Sequence, residues 1–363
     1  MSSIIGNKLK VSIFGESHGE AIGAVIDGLP PGIELDFDYI NLQMKRRVPG
    51  QNNLSTQRKE SDSFKILSGF LNNKTTGTPL CAVIFNEDKN SKDYSELKIK
   101  MRPSHGDYTG FIKYLGFNDY RGGGHFSGRL TAPLLFAGSI AMQILESKNI
   151  HIGSRIKSIY NIEDNTIPKY NEEELKLLKN MDLPILSNEL KPKISEEIQT
   201  AKENNNSLGG IVETYIINLP AGYGEPLFNS VESKLSHMIF SIPAVKGIEF
   251  GEGFNITKLT GKEANDEFIV KDNKVITNTN NNGGILGGIS NGMPIIFRTA
   301  IKPTPSIGSL QHTVNIESLE NTTLTINGRH DPCIVPRVIP VIEGAAALVI
   351  LDLLLERDGE LWT

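Results

Sequence analysis

Gly23-Ala24-Val25-Ile26-Asp27-Gly28-Leu29-Pro30-Pro31-Gly32 is an apolar, β-prone run that ends in a proline–glycine turn. A helix-like stretch follows it as far as Arg47. The same order returns later: Gly210-Ile211-Val212 leads through Asn218-Leu219-Pro220-Ala221-Gly222 into a helix-like stretch from Phe228. A strand, a Leu-Pro-x-Gly turn and a helix therefore occur twice. A true repeat would place two similar halves, about 1–150 and 205–363, inside one domain spanning 1–363. Such turns are also common in unrelated chains, so the echo alone leaves coincidence open.

Further β-prone runs lie at Lys10 to Phe14, Ala21 to Asp27, Phe64 to Phe70, Leu80 to Phe85, Gly210 to Leu219 and Met293 to Ile301. Each is bounded by Gly, Pro or Asn. Helical periodicity is clearest over Pro133 to Lys148, Ser195 to Glu203, Phe228 to Ile239 and Pro340 to Glu356, the last with Pro340 placed in its first turn. The polar tract from Asn161 to Lys193 reads as a surface excursion. The Asn-rich turn at Asn278 to Asn282 leads into a glycine motif.

The chain has 363 residues, 39% of them hydrophobic, and a formal net charge of −5. That balance argues against a nucleic-acid or anionic-membrane binder, which would carry a basic face. An anionic ligand must then be held by a local cluster of cations. Cys81 and Cys333 read as structural thiols in a reducing compartment. No signal-like segment opens the chain, and the apolar stretch from Val338 to Leu355 is interrupted by Glu343 and Asp352. A buried helix and a cytoplasmic protein are expected.

Six polar segments carry candidate chemistry. In Phe14-Gly15-Glu16-Ser17-His18-Gly19, glycines place Ser17 and His18 at a strand end, where histidine can trade a proton near neutral pH. A lone histidine there is more often structural. Arg46-Arg47, with Gln57-Arg58 soon after, suits either a helix dipole or a bidentate grip on phosphate. Arg102-Pro103-Ser104-His105-Gly106-Asp107 joins an anion clamp to a proton carrier. Arg121-Gly122-Gly123-Gly124-His125-Phe126-Ser127-Gly128-Arg129 exposes backbone N–H groups ahead of a helix from about Thr131, which favours anion binding.

The fifth segment pairs Gly283-Gly284 and Gly287-Gly288 around two aliphatics, suiting a backbone laid flat against a ring or another backbone. Lys302-Pro303-Thr304-Pro305-Ser306 then offers an ammonium and two hydroxyls on a stiff loop. The sixth, Asn327-Gly328-Arg329-His330-Asp331-Pro332-Cys333, is a turn dense in titratable groups. No Rossmann, P-loop or zinc spacing is present. Gly15-Glu16-Ser17-His18-Gly19 has the form of a nucleophile elbow but runs into a second strand instead of a helix, which argues against serine hydrolysis.

In order along the chain, Phe-Gly-Glu-Ser-His-Gly, Asp-Gly-x-Pro-Pro-Gly, Thr-Gln-Arg-x-Glu, Arg-Pro-x-His-x-Asp-Tyr, Asp-Tyr-Arg-Gly-Gly-Gly, Gly-Gly-Ile-Leu-Gly-Gly-Ile-Ser and Gly-Arg-His-Asp-Pro-Cys resemble the chorismate synthase family from Phe14 to Cys333. The resemblance implies an α+β layered β-α-β sandwich, with helices between two antiparallel sheets and an internal pseudo-twofold repeat. It implies a homotetramer acting on a phosphorylated small molecule. The reaction would be 1,4-elimination of phosphate from 5-enolpyruvylshikimate 3-phosphate, with reduced FMN required and no net redox change. NADPH would enter only through an intrinsic flavin reductase activity, and an external reductase would otherwise be the partner.

By family position, His18 would protonate the departing phosphate, His105 would act on the reduced flavin, and Asp331 would help relay the ring proton. Arg47, Arg58, Arg102 and Arg129 would contact substrate or nucleotide phosphate. His125, Phe126, Ser127, Gly287, Lys302, Pro303, Thr304, Pro305, Ser306 and Arg329 would fall at flavin-binding positions. No metal is implied. This chain departs from many members at His125 to Gly128, at Asn53 and at Pro243, which weakens individual flavin and nucleotide contacts. A flavin oxidoreductase turning over a nicotinamide and a non-catalytic phospholigand module are the competing readings.

Overall fold

The computed structural model describes residues 3–48, 62–86, 96–326 and 331–359. Two five-stranded antiparallel sheets organise them. The first runs in the order Ile4–Ile5, Lys10–Gly15, Ala21–Asp27, Leu80–Phe85, Phe64–Ser68. The second runs Val245–Phe250, Ile295–Ile301, Gly210–Ile217, His151–Ile159, Ile162–Glu163. Eight α-helices accompany them: α1 (Phe37–Arg47), α2 (Asp107–Lys113), α3 (Thr131–Ser147), α4 (Glu172–Lys179), α5 (Leu190–Glu203), α6 (Val231–Phe240), α7 (Gly261–Ala264) and α8 (Val335–Asp358).

Alternation decides which face of each sheet is covered. Ile22, Ala24 and Ile26 pair with Ile84, Ala82 and Leu80, all six buried on the face that receives α3. In the second sheet Val212, Ile216, Ile295 and Phe297 join the same main core, against which α8 packs. Tyr215, Ile217 and Ile296 point the other way and meet Leu175 and Leu178 of α4. The tract from 161 to 193 thus covers the second sheet's other face through α4.

α3 and α8 are apolar nearly all round, the pattern of helices buried on every side. Every residue from Val338 to Leu355 is buried, and both helices, long and apolar enough to cross a membrane, are spent on the protein's own core. They approach closely because glycines face each other: a Cβ on Gly138 would lie 2.4 Å from Gly344 Cα. The acids within α8 have partners. Asp352 accepts from the backbone N–H groups of Asn7, Lys8 and Leu9 at 2.7–3.2 Å, and Glu343 pairs with Arg46.

Helix α8 begins at Val335, so Pro340 is interior, contrary to its expected place in the first turn. Pro336 takes the first-turn role, where a missing N–H costs nothing. Pro340 would have donated only to the Pro336 carbonyl, one bond in a helix whose burial outweighs it. The expected strand from Phe64 to Phe70 is interrupted after Ser68, where Gly69 adopts φ +75°.

Candidate active site

Glycines 122, 123 and 124 adopt φ values of +57°, +84° and +52°, backbone that side chains other than glycine's rarely tolerate. Two of them pass close to the two histidines. A Cβ on Gly122 would sit 2.2 Å from His18 Nδ1, and one on Gly123 would sit 3.0 Å from His105 Cε1 and 3.3 Å from its Nε2. The Ser17 N–H donates to the Gly124 carbonyl at 3.1 Å, fixing the strand-end loop against the glycine turn. His18 is buried. Near it, the Asp119 carboxyl is raised by burial but held low overall by Arg121, with His18 a smaller contributor.

His105 belongs to a charged triad. Asp107 accepts from Arg102 Nε and Nη2, each at 2.7 Å, and from the Arg102 backbone N–H at 3.1 Å. His105 Nδ1 lies 2.7 Å from Asp107 Oδ1 and 3.2 Å from Arg102 Nη2. A guanidinium only donates, and this one already donates to Asp107. The shorter contact therefore puts the proton on Nδ1, donated to Asp107. Nε2 is left facing Gly123. Burial alone would raise the Asp107 carboxyl, but hydrogen bonds from Arg102 and His105 hold it well below the usual carboxylate range.

The other half of the chain braces this loop. Arg102 Nη1 donates to Ser306 Oγ at 3.3 Å and Lys302 Nζ to the Ser104 carbonyl at 2.6 Å. The Thr313 hydroxyl donates to the Met101 carbonyl. Burial, and Lys246 nearby, lower the Lys302 ammonium below its ordinary value. Thr304 Oγ1 is buried with no hydrogen-bond partner among the described residues.

A second ionic cluster lies behind His18. Asp62 is fully buried between Arg47 and Arg129, taking Arg47 Nε at 2.9 Å and Nη2 on one oxygen and Arg129 Nη1 on the other. Burial pushes the Asp62 carboxyl up, and the two guanidiniums more than offset it. Arg129 Nε donates to Asn86 Oδ1 at 3.1 Å. Asn86 Nδ2 donates to the carbonyls of Glu16 and Gly19, both at 3.0 Å, so one amide ties Arg129 to the loop carrying His18. Arg337 Nε donates to the Arg47 carbonyl at 3.0 Å while its Nη1 pairs with Asp331. Asp331 thus joins the His18 loop through Arg337, Arg47, Asp62, Arg129 and Asn86. A cavity of about 260 Å³ opens beside Arg337 and Cys333, lined also by Lys45, Arg46 and Lys179.

His125 Nδ1 lies 2.9 Å from the Gly15 carbonyl, Ser127 Oγ caps the Arg129 N–H at 3.3 Å, and the Phe126 ring lies against Gly106 and Gly110. Gly283, Gly284 and Gly288 each face another backbone within 2.6 Å of a would-be Cβ, whereas Gly287 has open space. Arg58 and Arg329 lie outside the described residues. Burial pushes the Cys333 thiol up to about 12, so it is an inert core group. Asp62, Asn86 and Arg337 went unremarked in the sequence. Arg337 lay outside the helix expected from Pro340, so it carried no signal as a first-turn cation needing a carboxylate; the start at Val335 supplies that reason.

Two histidines beside one glycine turn, with buried guanidiniums nearby, are side chains chemically suited to proton exchange and to holding anionic charge. The chain belongs to the chorismate synthase family. The family's model, "Chorismate synthase", matches residues 9–355. A chorismate synthase of Dehalococcoides mccartyi is 44% identical over 98% of this chain and 97% of its own, and one of Pyrococcus abyssi is 46% identical over 97% of each. A solved structure described as "Crystal Structure of Chorismate Synthase" superposes with a TM-score of 0.77 at 29% identity, covering 97% of this chain and 93% of that one. The family's activity is that of a chorismate-forming lyase in the shikimate pathway to the aromatic amino acids.

Proposed function

We propose that this chain converts 5-enolpyruvylshikimate 3-phosphate to chorismate and inorganic phosphate in the presence of reduced FMN. The observation that carries the reading is the pair of histidines at the neighbouring glycines Gly122 and Gly123, with buried arginines in the same region. One C–O bond and one ring C–H bond break and one C=C bond forms. His18 gives its proton to the departing phosphate oxygen. The Asp331 carboxylate takes up the ring proton. His105, oriented by Asp107, presents Nε2 for proton exchange. Arg47, Arg102 and Arg129 supply positive charge where phosphate charge develops, in a site drier than water and so electrostatically stronger. Arg58 enters by family position alone.

The residues fit a flavin nucleotide. Lys302 is a desolvated ammonium beside a second lysine, Thr304 holds an unused buried hydroxyl, and Gly287 leaves room that a side chain would fill. Gly287, Lys302, Pro303, Thr304, Pro305 and Ser306 would hold reduced FMN together with His125, Phe126 and Ser127, and Arg329 enters by family position alone. When bound, it supplies a transiently lent electron with no net redox change. The wider reading is of one cytoplasmic domain built as a layered sandwich of two pseudo-twofold-related halves and assembled as a homotetramer. It is served by an external flavin reductase, or by NADPH where the chain reduces its own flavin. Pure protein, pre-reduced FMN and substrate mixed without oxygen should yield chorismate and phosphate one for one. A requirement for stoichiometric NADPH would overturn the lyase reading.

A further inference from the structure

We infer that Asp62 is the protein's own occupant of the anion seat made by Arg47 and Arg129, and that it shares or yields this seat when an anionic group of the ligand arrives. The inference rests on the reading of the site as one for a phosphorylated acid. Asp62 divides its two oxygens between the two guanidiniums, the arrangement a phosphate would adopt in their fork. The cations do not depend on Asp62 for their placement. Arg47 Nη1 donates to Thr131 Oγ1 at 3.3 Å, the Arg47 carbonyl is held by Arg337, and Arg129 Nε is held by Asn86.

Asp62, by contrast, is held at φ +47°, a left-handed backbone that costs a residue other than glycine conformational energy. The braced arginines are the fixed part of the cluster and Asp62 the exchangeable part. Charge supports the same division: Asp62→Asn removes one negative charge from between Arg47 and Arg129. Without that charge the two guanidiniums would retain inorganic phosphate more tightly. Asp62 lowers that affinity, which lets the released phosphate depart.

The test uses the full chain. Asp62→Asn should lower the Tm by roughly 4–7 °C in phosphate-free buffer, because two buried guanidiniums lose their counter-ion. Saturating inorganic phosphate should restore most of that loss while shifting the wild type less. Phosphate should also inhibit the variant at concentrations about tenfold lower or less. A Tm loss that phosphate does not restore, or wild-type behaviour throughout, would overturn the assignment. If Asp62→Asn does not fold without phosphate, the double variant Asp62→Asn/Arg129→Met, which removes the excess cation as well, should fold and ignore phosphate. A double variant that still responds to phosphate as the single one does would sink the idea. Melting needs no turnover, so a failed chorismate assay would count against the proposed function and leave this inference standing.

Discussion

Replacing Asp107 by Asn removes one negative charge from a triad whose side chains are 7% exposed at Arg102 and 9% at Asp107, with almost no change in shape. Near-complete burial makes the relevant magnitude that of a broken buried pair, about 3–5 kcal/mol, and not the ~0–1 kcal/mol of a surface pair. For a chain of this size the Tm should fall by roughly 4–7 °C. The pH dependence has a definite sign. The folded Asp107 carboxyl lies below its unfolded value, so its stabilisation is present above about pH 4 and is lost as pH falls through the folded value. The gap between the wild-type and variant melting curves should therefore narrow below about pH 4. Turnover should fall by about 10²-fold or more, because Nδ1 of His105 no longer faces a carboxylate that fixes its proton there. Calorimetry across pH and an anaerobic turnover assay read both effects. An Asp107→Asn protein with wild-type melting, or with lowered stability and wild-type turnover, would refute the role given to this carboxylate.

Other perturbations test neighbouring parts of the site. Gly122→Ala, whose Cβ would meet His18 at 2.2 Å from left-handed backbone, should lower turnover by about 10²-fold or more while leaving the fold measurable by circular dichroism. Asn86→Asp turns an amide that donates to two carbonyls into an acid that repels them, and should cost about 1–3 kcal/mol in urea unfolding. Gly138→Ala forces α3 off α8 and should cost about 1–3 kcal/mol by overpacking, again read by urea unfolding.

Much of this architecture was legible before any coordinates. The strands at Ala21–Asp27 and Leu80–Phe85 have the bounds their apolar runs predict, because clear turn residues flank each. α3 starts at Thr131, where the segment ending at Arg129 was expected to open a helix, two residues before its periodic run from Pro133. The helix expected from Phe228 starts only at Val231, since Ser230 caps the Ser233 N–H. His18, His105 and the glycine turn were visible as segments, but their meeting at Gly122 and Gly123 was not. That relation is made by strand pairing and by the Ser17 to Gly124 hydrogen bond, which no local pattern encodes. Asp62 and Asn86 were invisible for a related reason. Each is an ordinary polar residue at the edge of a strand, and only long-range contact with Arg47 and Arg129 gives it a function.

His18 and His105 are proposed as a working pair of proton carriers beside one glycine turn. Single-turnover chorismate formation, measured without oxygen with pre-reduced FMN, tests that pairing in the wild type, His18→Ala and His105→Ala. The account predicts prompt formation by the wild type and a fall of about 10²-fold or more in each variant, with ligand still bound. Wild-type rates in either variant would contradict it.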